Sequence, residues 1–357
     1  MTGFNSVGLD YAFFWLKLTF LVCRIHFLSS TTYGDGNDAT CKKTIEQYEK
    51  VFIRLINGCS SANEVLAKAR QTTKNNTWFC YKAAVLFWSD YRQHVADNGL
   101  DPSRVPAEIQ ALSPSFLSDL QQLFQAAPPI PKETRKPRHS KRKDMRGAPS
   151  NWRELLWDES GLKEYRLHYA LSAVTGCRPG EFDEGFLVKV IKDYILFGIK
   201  GLKVRASSGQ PARVLIYKLV GARGLFLSEI VSTVKALPKN NQGFVTIEPI
   251  NTKAYSAAIK RASLRLGLGG KTGLSAYNLR HSFASDLKAA GKTPEEIARA
   301  LGHASTKTQS CYGHAGMSKG GGVVPVLIQA PKAVKLHPIS NGKNYPNRKQ
   351  SRHIGTP

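Results

Sequence analysis

The sequence predicts a mainly α-helical protein with a small antiparallel β-sheet, an α+β architecture in two domains. Three observations carry this expectation. The chain has 357 residues, 42% of them hydrophobic, enough to bury two cores of ordinary size. Amphipathic runs with helical spacing fill both halves, whereas strand-like runs are confined to 189–204 and 213–219. Between the halves, residues 127–150 gather prolines and basic side chains as a linker does.

Residues 1–38 form an apolar N-terminal extension of doubtful status. Tyr11 to Leu28 approaches the length of a membrane span, but Lys17 and Arg24 would be costly near its centre. Asp10 and no Lys or Arg precede it, which argues against a secretory signal. No membrane partner is expected. One reading is an over-called start: the next methionine is Met145, so a true start near residue 30 would use a non-Met codon. Intact-mass measurement of the native protein tests this, and a mass including Met1 or Thr2 would sink it.

Residues 39–126 read as a small all-helical domain. Thr40 is placed to cap a helix through Leu55, with Ile45, Tyr48, Val51, Phe52 and Leu55 at helical spacing. Trp78 to Val95 is an aromatic-rich amphipathic run, and Ser113 or Ser115 can open a further helix. In the linker, Pro128, Pro129 and Pro131 break the preceding helix. Lys132 to Arg146 then holds eight Lys or Arg against two acids, a composition expected to be extended and solvated.

Residues 151–315 read as a second domain. A helix from Lys163 to Val174 is ended by Gly176. Lys189–Val204 and Arg213–Leu219 read as strands around a turn at 207–211. Helices are expected at 227–236, 252–266, 275–289, 294–301 and 306–312. Thr293-Pro294-Glu295-Glu296 is a helix start with cap, N1 proline and acids at the positive end of the dipole. Residues 316–357 read as a flexible basic tail, with Val323–Gln329 able to add a short strand.

The net charge of +25 and pI near 9.9 argue for a polyanionic partner, nucleic acid before anionic membrane. The six cysteines include no CxxC pair and no zinc-type spacing, so they read as reduced thiols of a cytosolic protein. H-E-x-x-H, Walker A and dinucleotide-binding glycine patterns are absent from the sequence. No cofactor or metal is expected.

The chemistry gathers at Tyr277-x-x-Arg280-His281, then Leu301-Gly302-His303, then Tyr312, nine residues after that histidine. Upstream stands Thr175-Gly176-Cys177-Arg178, with Glu181 three residues on. Two guanidiniums, Arg178 and Arg280, can hold the non-bridging oxygens of one phosphate and stabilise a pentacovalent transition state without a metal. A phenol ionises well above neutral pH, so Tyr312 must lose or share its proton as it attacks, and clustered cations favour that.

These motifs, in this order, resemble the tyrosine recombinase (phage-type integrase) family. The resemblance covers about 40–315 by layout, and its specific motifs lie in 175–312. It implies a two-domain DNA clamp, C-shaped, with a helical core-binding domain and a catalytic domain closing on duplex DNA. It implies site-specific cleavage and rejoining through a 3′-phosphotyrosyl intermediate, integrating or excising a mobile element. The catalytic residues it implies are Arg178, Lys203, Tyr277, Arg280, His303 and the nucleophile Tyr312, with Glu181 and His281 in support. The lysine supplies a proton to the leaving 5′-hydroxyl; Lys200 is the alternative to Lys203, because strand register decides between them. Tyr277 stands where histidine is commoner; it can donate to phosphate but is the poorer proton shuttle.

The implied partners are double-stranded attachment sites, three further copies in a homotetramer on paired sites, and accessory DNA-bending or directionality factors. Residues 316–330 are candidates to dock on a neighbouring copy. The implied location is cytoplasmic and nucleoid-associated. Lys42, Lys43, Arg135, Lys136, Arg138, Lys141, Arg142, Lys143, Lys260 and Arg261 are candidate DNA contacts, each equally readable as a solvated basic residue. Taken alone, His281 reads as a core histidine, His303 as a helix-end residue and Tyr312 as packing; the spacing favours the catalytic reading. Two alternatives stay open: a DNA-binding protein that occupies recombination sites without cutting, and a type IB topoisomerase-like activity.

Overall fold

The structure is a computed structural model that describes residues 42–135, 141–205, 208–219, 224–318 and 322–337. Residues 1–38 and the expected cap Thr40 lie outside the described residues, as do Lys136, Arg138 and the side chains of Lys42 and Lys43. The described residues divide into two compact units, 42–135 and 141–337. Among the described residues no helix is long and apolar enough to cross a membrane.

The first unit is helical: α1 (Lys42–Ile56), α2 (Ala62–Arg70), α3 (Asn75–Asp97), the single turn α4 (Ala107–Gln110) and α5 (Pro114–Ala126). Phe52 and Leu55 carry the buried stripe of α1 into the core. Trp78 of α3 is fully buried, stacked on Phe124 at 5.6 Å, with the Arg70 guanidinium 4.1 Å from its ring centroid. Ser113, rather than Ser115, opens α5: its hydroxyl accepts from the Phe116 amide at 3.1 Å, and Pro114 fills the first helical position.

The basic stretch expected to be extended is folded at both described ends. Ala127 and Ile130 are buried in the first unit's core, and Lys132–Thr134 forms a 3-10 turn. Lys141–Asp144 is one helical turn (α6), and Met145 and Ala148 are buried in the second unit's core. The few apolar residues set among the cations explain the difference, since burying a large one is worth roughly 1.5–3 kcal/mol.

The second unit begins with α7 (Trp152–Asp158) and α8 (Arg166–Thr175). The helix expected from Lys163 starts three residues later, after a 3-10 stretch, Ser160–Tyr165. Gly176 ends α8 in the left-handed region, φ 58°. A Cβ there would lie 2.3 Å from the Phe283 ring, so only glycine fits. The single turn α9 (Glu181–Glu184) leads into the sheet.

The strand expected over 189–204 is a hairpin instead: β1 (Phe186–Ile191) and β2 (Tyr194–Lys200) pair antiparallel, Ile191 opposite Tyr194. The two-residue turn, Lys192-Asp193, puts Lys192 at φ 47°, and nothing as strong as Asn-Gly marks it in sequence. β2 pairs with β3 (Ala212–Lys218), Lys200 opposite Ala212. Lys203 is therefore in the connecting loop, beyond the strand. β4 (Val245–Ile247) and β5 (Leu327–Gln329) complete an antiparallel sheet of order β4-β1-β2-β3-β5.

Phe186, Val188, Ile195, Phe197, Ile199, Leu215 and Tyr217 join the sheet to the main core. Around it pack α10 (Leu225–Ala236), α11 (Thr252–Arg265), α12 (Ala276–Ala289) and α13 (Pro294–Ala300). Thr293 caps α13 as expected, and Glu296 makes the cap reciprocal. The helix expected at 306–312 is a 3-10 helix, Thr306–Cys311.

The short strand expected within Val323–Gln329 is present at Leu327–Gln329, but the described tail residues around it are folded rather than flexible. Residues 322–337 fold onto their own chain. Leu327–Gln329 pairs with β3, the Lys335 amide donates to the Ala304 carbonyl at 2.9 Å, and Gln210 holds Lys332 through two hydrogen bonds. Among the described residues, the segment offered as a docking arm for a neighbour is seated in cis.

Candidate active site

Arg280, on the second turn of α12, is fully buried and is the hub of the site. Its Nη1 donates to the Gly176 carbonyl at 2.7 Å and its Nη2 to the Leu301 carbonyl. The same Nη2 lies 3.1 Å from His303 Nε2, and Nε donates to the Tyr312 hydroxyl at 3.1 Å. The two carbonyls come from a helix that ends at a glycine and from the end of α13, where free carbonyls are inherent in the geometry. The arginine is thus fixed by backbone, with its tyrosine and histidine contacts left as the exchangeable ones.

His303 follows Gly302, whose φ of 66° turns the chain sharply after α13. Since Nε2 faces a guanidinium, it is the unprotonated nitrogen. Nδ1 carries the proton and lies 3.0 Å from the Thr308 hydroxyl, which in turn donates to the Ser305 carbonyl. Burial first, then Arg280, Arg178 and Arg213, pushes the His303 imidazolium down to about 2, so the ring is neutral here. A phosphate entering this cationic site would shift His303 back towards holding a second proton.

Tyr312 terminates the 3-10 helix. Its ring lies 4.9 Å from that of His281 and 5.3 Å from that of His303. His281 is lowered to about 4, by burial foremost and then by Arg280 and neighbouring cations. Its Nδ1 is buried without a hydrogen-bond partner among the described residues.

Arg178 sits on the turn after α8, and Glu181 opens α9. Glu181 accepts from the Arg178 amide at 2.7 Å and from Arg178 Nη1 at 2.6 Å. The same carboxylate receives a fork from Arg213 of β3, at 3.2 and 2.7 Å. Burial alone would raise the Glu181 pKa, but Arg213, Arg280 and Arg178 outweigh it and hold it at about 2. Three guanidiniums against one carboxylate leave the cluster with a net charge of 3 − 1 = +2.

The structure therefore brings Arg178, Glu181, Arg280, His281, His303 and Tyr312 into one network. Two expected members stand apart from it. Tyr277 is 42% exposed at the start of α12, and Lys203 is exposed in its loop; among the described residues neither side chain has a polar partner. Of the candidate DNA contacts, Lys143, Lys260 and Arg261 are exposed, Lys141 and Arg142 are half-buried, and Arg135 is half-buried with Nε on the Ile130 carbonyl. Sequence reasoning missed Arg213. An arginine sharing a strand face with Leu215 and Tyr217 was its signal, because a buried cation demands a carboxylate.

The fold and this cluster define an α+β unit with a cationic site, suited to a phosphate, that presents a tyrosine. Consistent with that class, residues 223–319 match the sequence model of the phage integrase family. It contains Tyr277, Arg280, His281, His303 and Tyr312. No curated protein matches the chain in sequence.

Among solved structures, the chain is similar to the Tn1549 transposon integrase in complex with a circular intermediate DNA. The identity is 13% over 82% of this chain and 95% of that one, with a TM-score of 0.42. A lambda integrase tetramer bound to a Holliday junction matches at 14% identity, 85% and 78% coverage and TM-score 0.47. XerH recombinase on its difH substrate matches at 16% identity, 75% and 72% coverage and TM-score 0.41.

Proposed function

We propose that the protein is a site-specific DNA recombinase whose nucleophile is Tyr312. The observation that carries this reading is the hydrogen bond from Arg280 Nε to the Tyr312 hydroxyl at 3.1 Å, which sets a tyrosine on a buried phosphate-type arginine. On arrival of DNA, Arg280 and Arg178 bind the non-bridging oxygens of the scissile phosphate. The phosphate takes over the polar contacts that Tyr312 and His303 now supply. Tyr312 Oη attacks phosphorus as its proton passes to the unprotonated Nε2 of His303, the bond from phosphorus to the 5′-oxygen breaks, and a 3′-phosphotyrosyl ester forms. The departing 5′-hydroxyl takes its proton from Lys203, with Lys200 the alternative donor. Reversal with another 5′-hydroxyl rejoins the strand. The ester conserves the bond energy, so no nucleotide cofactor is consumed.

Glu181 orients Arg178, and its own fork with Arg213 keeps it ionised. Tyr277, at the exposed start of α12, is proposed as a donor to the DNA phosphate, and His281 as a packing support for Tyr312. Lys141, Arg142, Lys143, Lys260 and Arg261 are proposed backbone contacts, giving binding that weakens steeply with salt. Duplex attachment sites, with a homotetramer acting on a pair of them, are the proposed partners; accessory bending or directionality factors are part of the same proposal.

The test is covalent trapping on nicked duplexes from DNA beside the gene. A protein–DNA adduct in denaturing gels with wild type, lost in Tyr312→Phe while binding persists, supports the reading. Tight, salt-sensitive binding without any adduct would replace it with the non-cutting binder, and sequence-independent relaxation of supercoiled DNA with the topoisomerase.

A further inference from the structure

We propose that Lys288 is a positioning residue, which docks the Tyr312 segment of the same chain onto α12 and so sets the tyrosine beside Arg280. The proposal rests on the reading of Tyr312 as nucleophile.

Lys288 lies eight residues after Arg280 on the same helix and is only 8% exposed. Its ammonium donates to the Gln309 carbonyl at 3.1 Å and the Gly313 carbonyl at 2.7 Å, one on each side of Tyr312. Among the described residues no carboxylate pairs with it. A buried ammonium is costly, and a leucine would fill the same place without that cost. Here the charge is directed wholly at the two carbonyls that bracket the tyrosine.

The segment lies flush on the helix. A Cβ at Gly313 would meet the Ser285 hydroxyl at 2.1 Å and the His281 carbonyl at 3.1 Å. Beyond it, the Ser318 hydroxyl donates at 2.6 Å to Asp286, which is buried and paired with Arg153 at 2.6 Å. Gln309 is tied to the Pro294 carbonyl. Successive polar residues of α12, Asp286 and Lys288, thus grip the chain on both sides of the nucleophile.

Burial, and then Arg142 of α6, pulls Lys288 down to about 8. Among the described residues His281, two turns back on the same face of α12, also interacts with it. Since the pKa is depressed in the docked state, a rise in pH does not by itself release the clamp; removing the side chain does. Arg at the same position would keep its charge throughout.

The test has two readouts. At neutral pH, hydrogen exchange of the peptide spanning 309–313 is compared between wild type and Lys288→Met. The Tyr312 amide, bonded to the Gln309 carbonyl at 3.1 Å, reports the docked turn. Protection is expected to fall in this peptide and not in β1–β3; unchanged protection would overturn the proposal. Second, single-turnover adduct formation is measured at saturating DNA. Lys288→Met is expected to slow it about ten-fold or more with unchanged DNA affinity, as displacement of a reacting group does. Lys288→Arg is expected to recover most of the rate.

A Lys288→Met rate equal to wild type would overturn the proposal while leaving the function intact. Absence of any wild-type adduct would instead remove the function reading, and hydrogen exchange would still decide the clamp. Should Lys288→Met fail to bind DNA, Lys288→Arg and the exchange data carry the decision.

Discussion

Glu181→Gln gives the sharpest physical test of how the cationic cluster is held. The carboxylate is fully buried, forked by Arg213 and bonded to Arg178, with a pKa of about 2 against an ordinary 4.5. A folded-state pKa below the unfolded value means stability present above pH 4.5 and lost as pH falls towards 2. The gap of 4.5 − 2, at about 1.36 kcal/mol per unit, makes this linkage worth about 3 kcal/mol at neutral pH. About 1 kcal/mol of it is gone by pH 3.5, and the rest follows as pH approaches the folded pKa.

The assay is urea unfolding of wild type and Glu181→Gln between neutral pH and pH 3.5. The stability difference between the two should be largest at neutral pH and should shrink by about 1 kcal/mol at the acid end. A difference that stays flat over that range would refute the argument that Glu181 is an ion held by Arg213.

Other expectations follow from particular contacts. Lys203→Ala should slow cleavage of ordinary DNA but not of DNA whose leaving 5′-oxygen is replaced by sulfur, because a thiolate departs without a proton; equal slowing on both substrates would remove Lys203 as the proton donor, and the same pair of substrates tests Lys200→Ala. Gly176→Ala should lower stability by about 1–3 kcal/mol or more in denaturant unfolding, since φ is 58° and the new Cβ meets Phe283 at 2.3 Å. Gly313→Val should cut adduct formation while DNA binding in gel-shift assays stays close to wild type, because the side chain would strike Ser285 and lift Tyr312 from Arg280.

Much of the site was legible because its chemistry is written in local motifs. Thr-Gly-x-Arg ends α8 at a glycine, and Leu-Gly-His ends α13 at another, so the turns that expose carbonyls to Arg280 could be read directly. Tyr312 came from its spacing to His303. Arg213 was not read, since its role depends on β3 lying beside α9, a contact between residues 32 apart. Lys288 was hidden for the same reason: nothing local tells a buried lysine on α12 from a solvated one.

In the fold, α2 was missed although Ser61-Ala62-Asn63-Glu64 is a capping sequence, and the Ser60 amide does bond Glu64 at 2.7 Å. The β1–β2 turn lacked a glycine to announce it. In the tail the strand at Leu327–Gln329 was legible within Val323–Gln329, but composition favoured flexibility for the rest; the order of its other described residues comes from contacts such as that with Ala304, which composition does not encode.

The central claim is that Tyr312 becomes covalently joined to DNA, and direct mapping of the adduct tests it best. Wild-type protein trapped on a nicked duplex would be digested with nuclease and protease and its peptides weighed. The account predicts a nucleotide phosphate ester on the peptide holding Tyr312, with a free 5′-hydroxyl on the released strand. An ester on Tyr277 or any other residue, or a 5′-linked nucleotide, would contradict it.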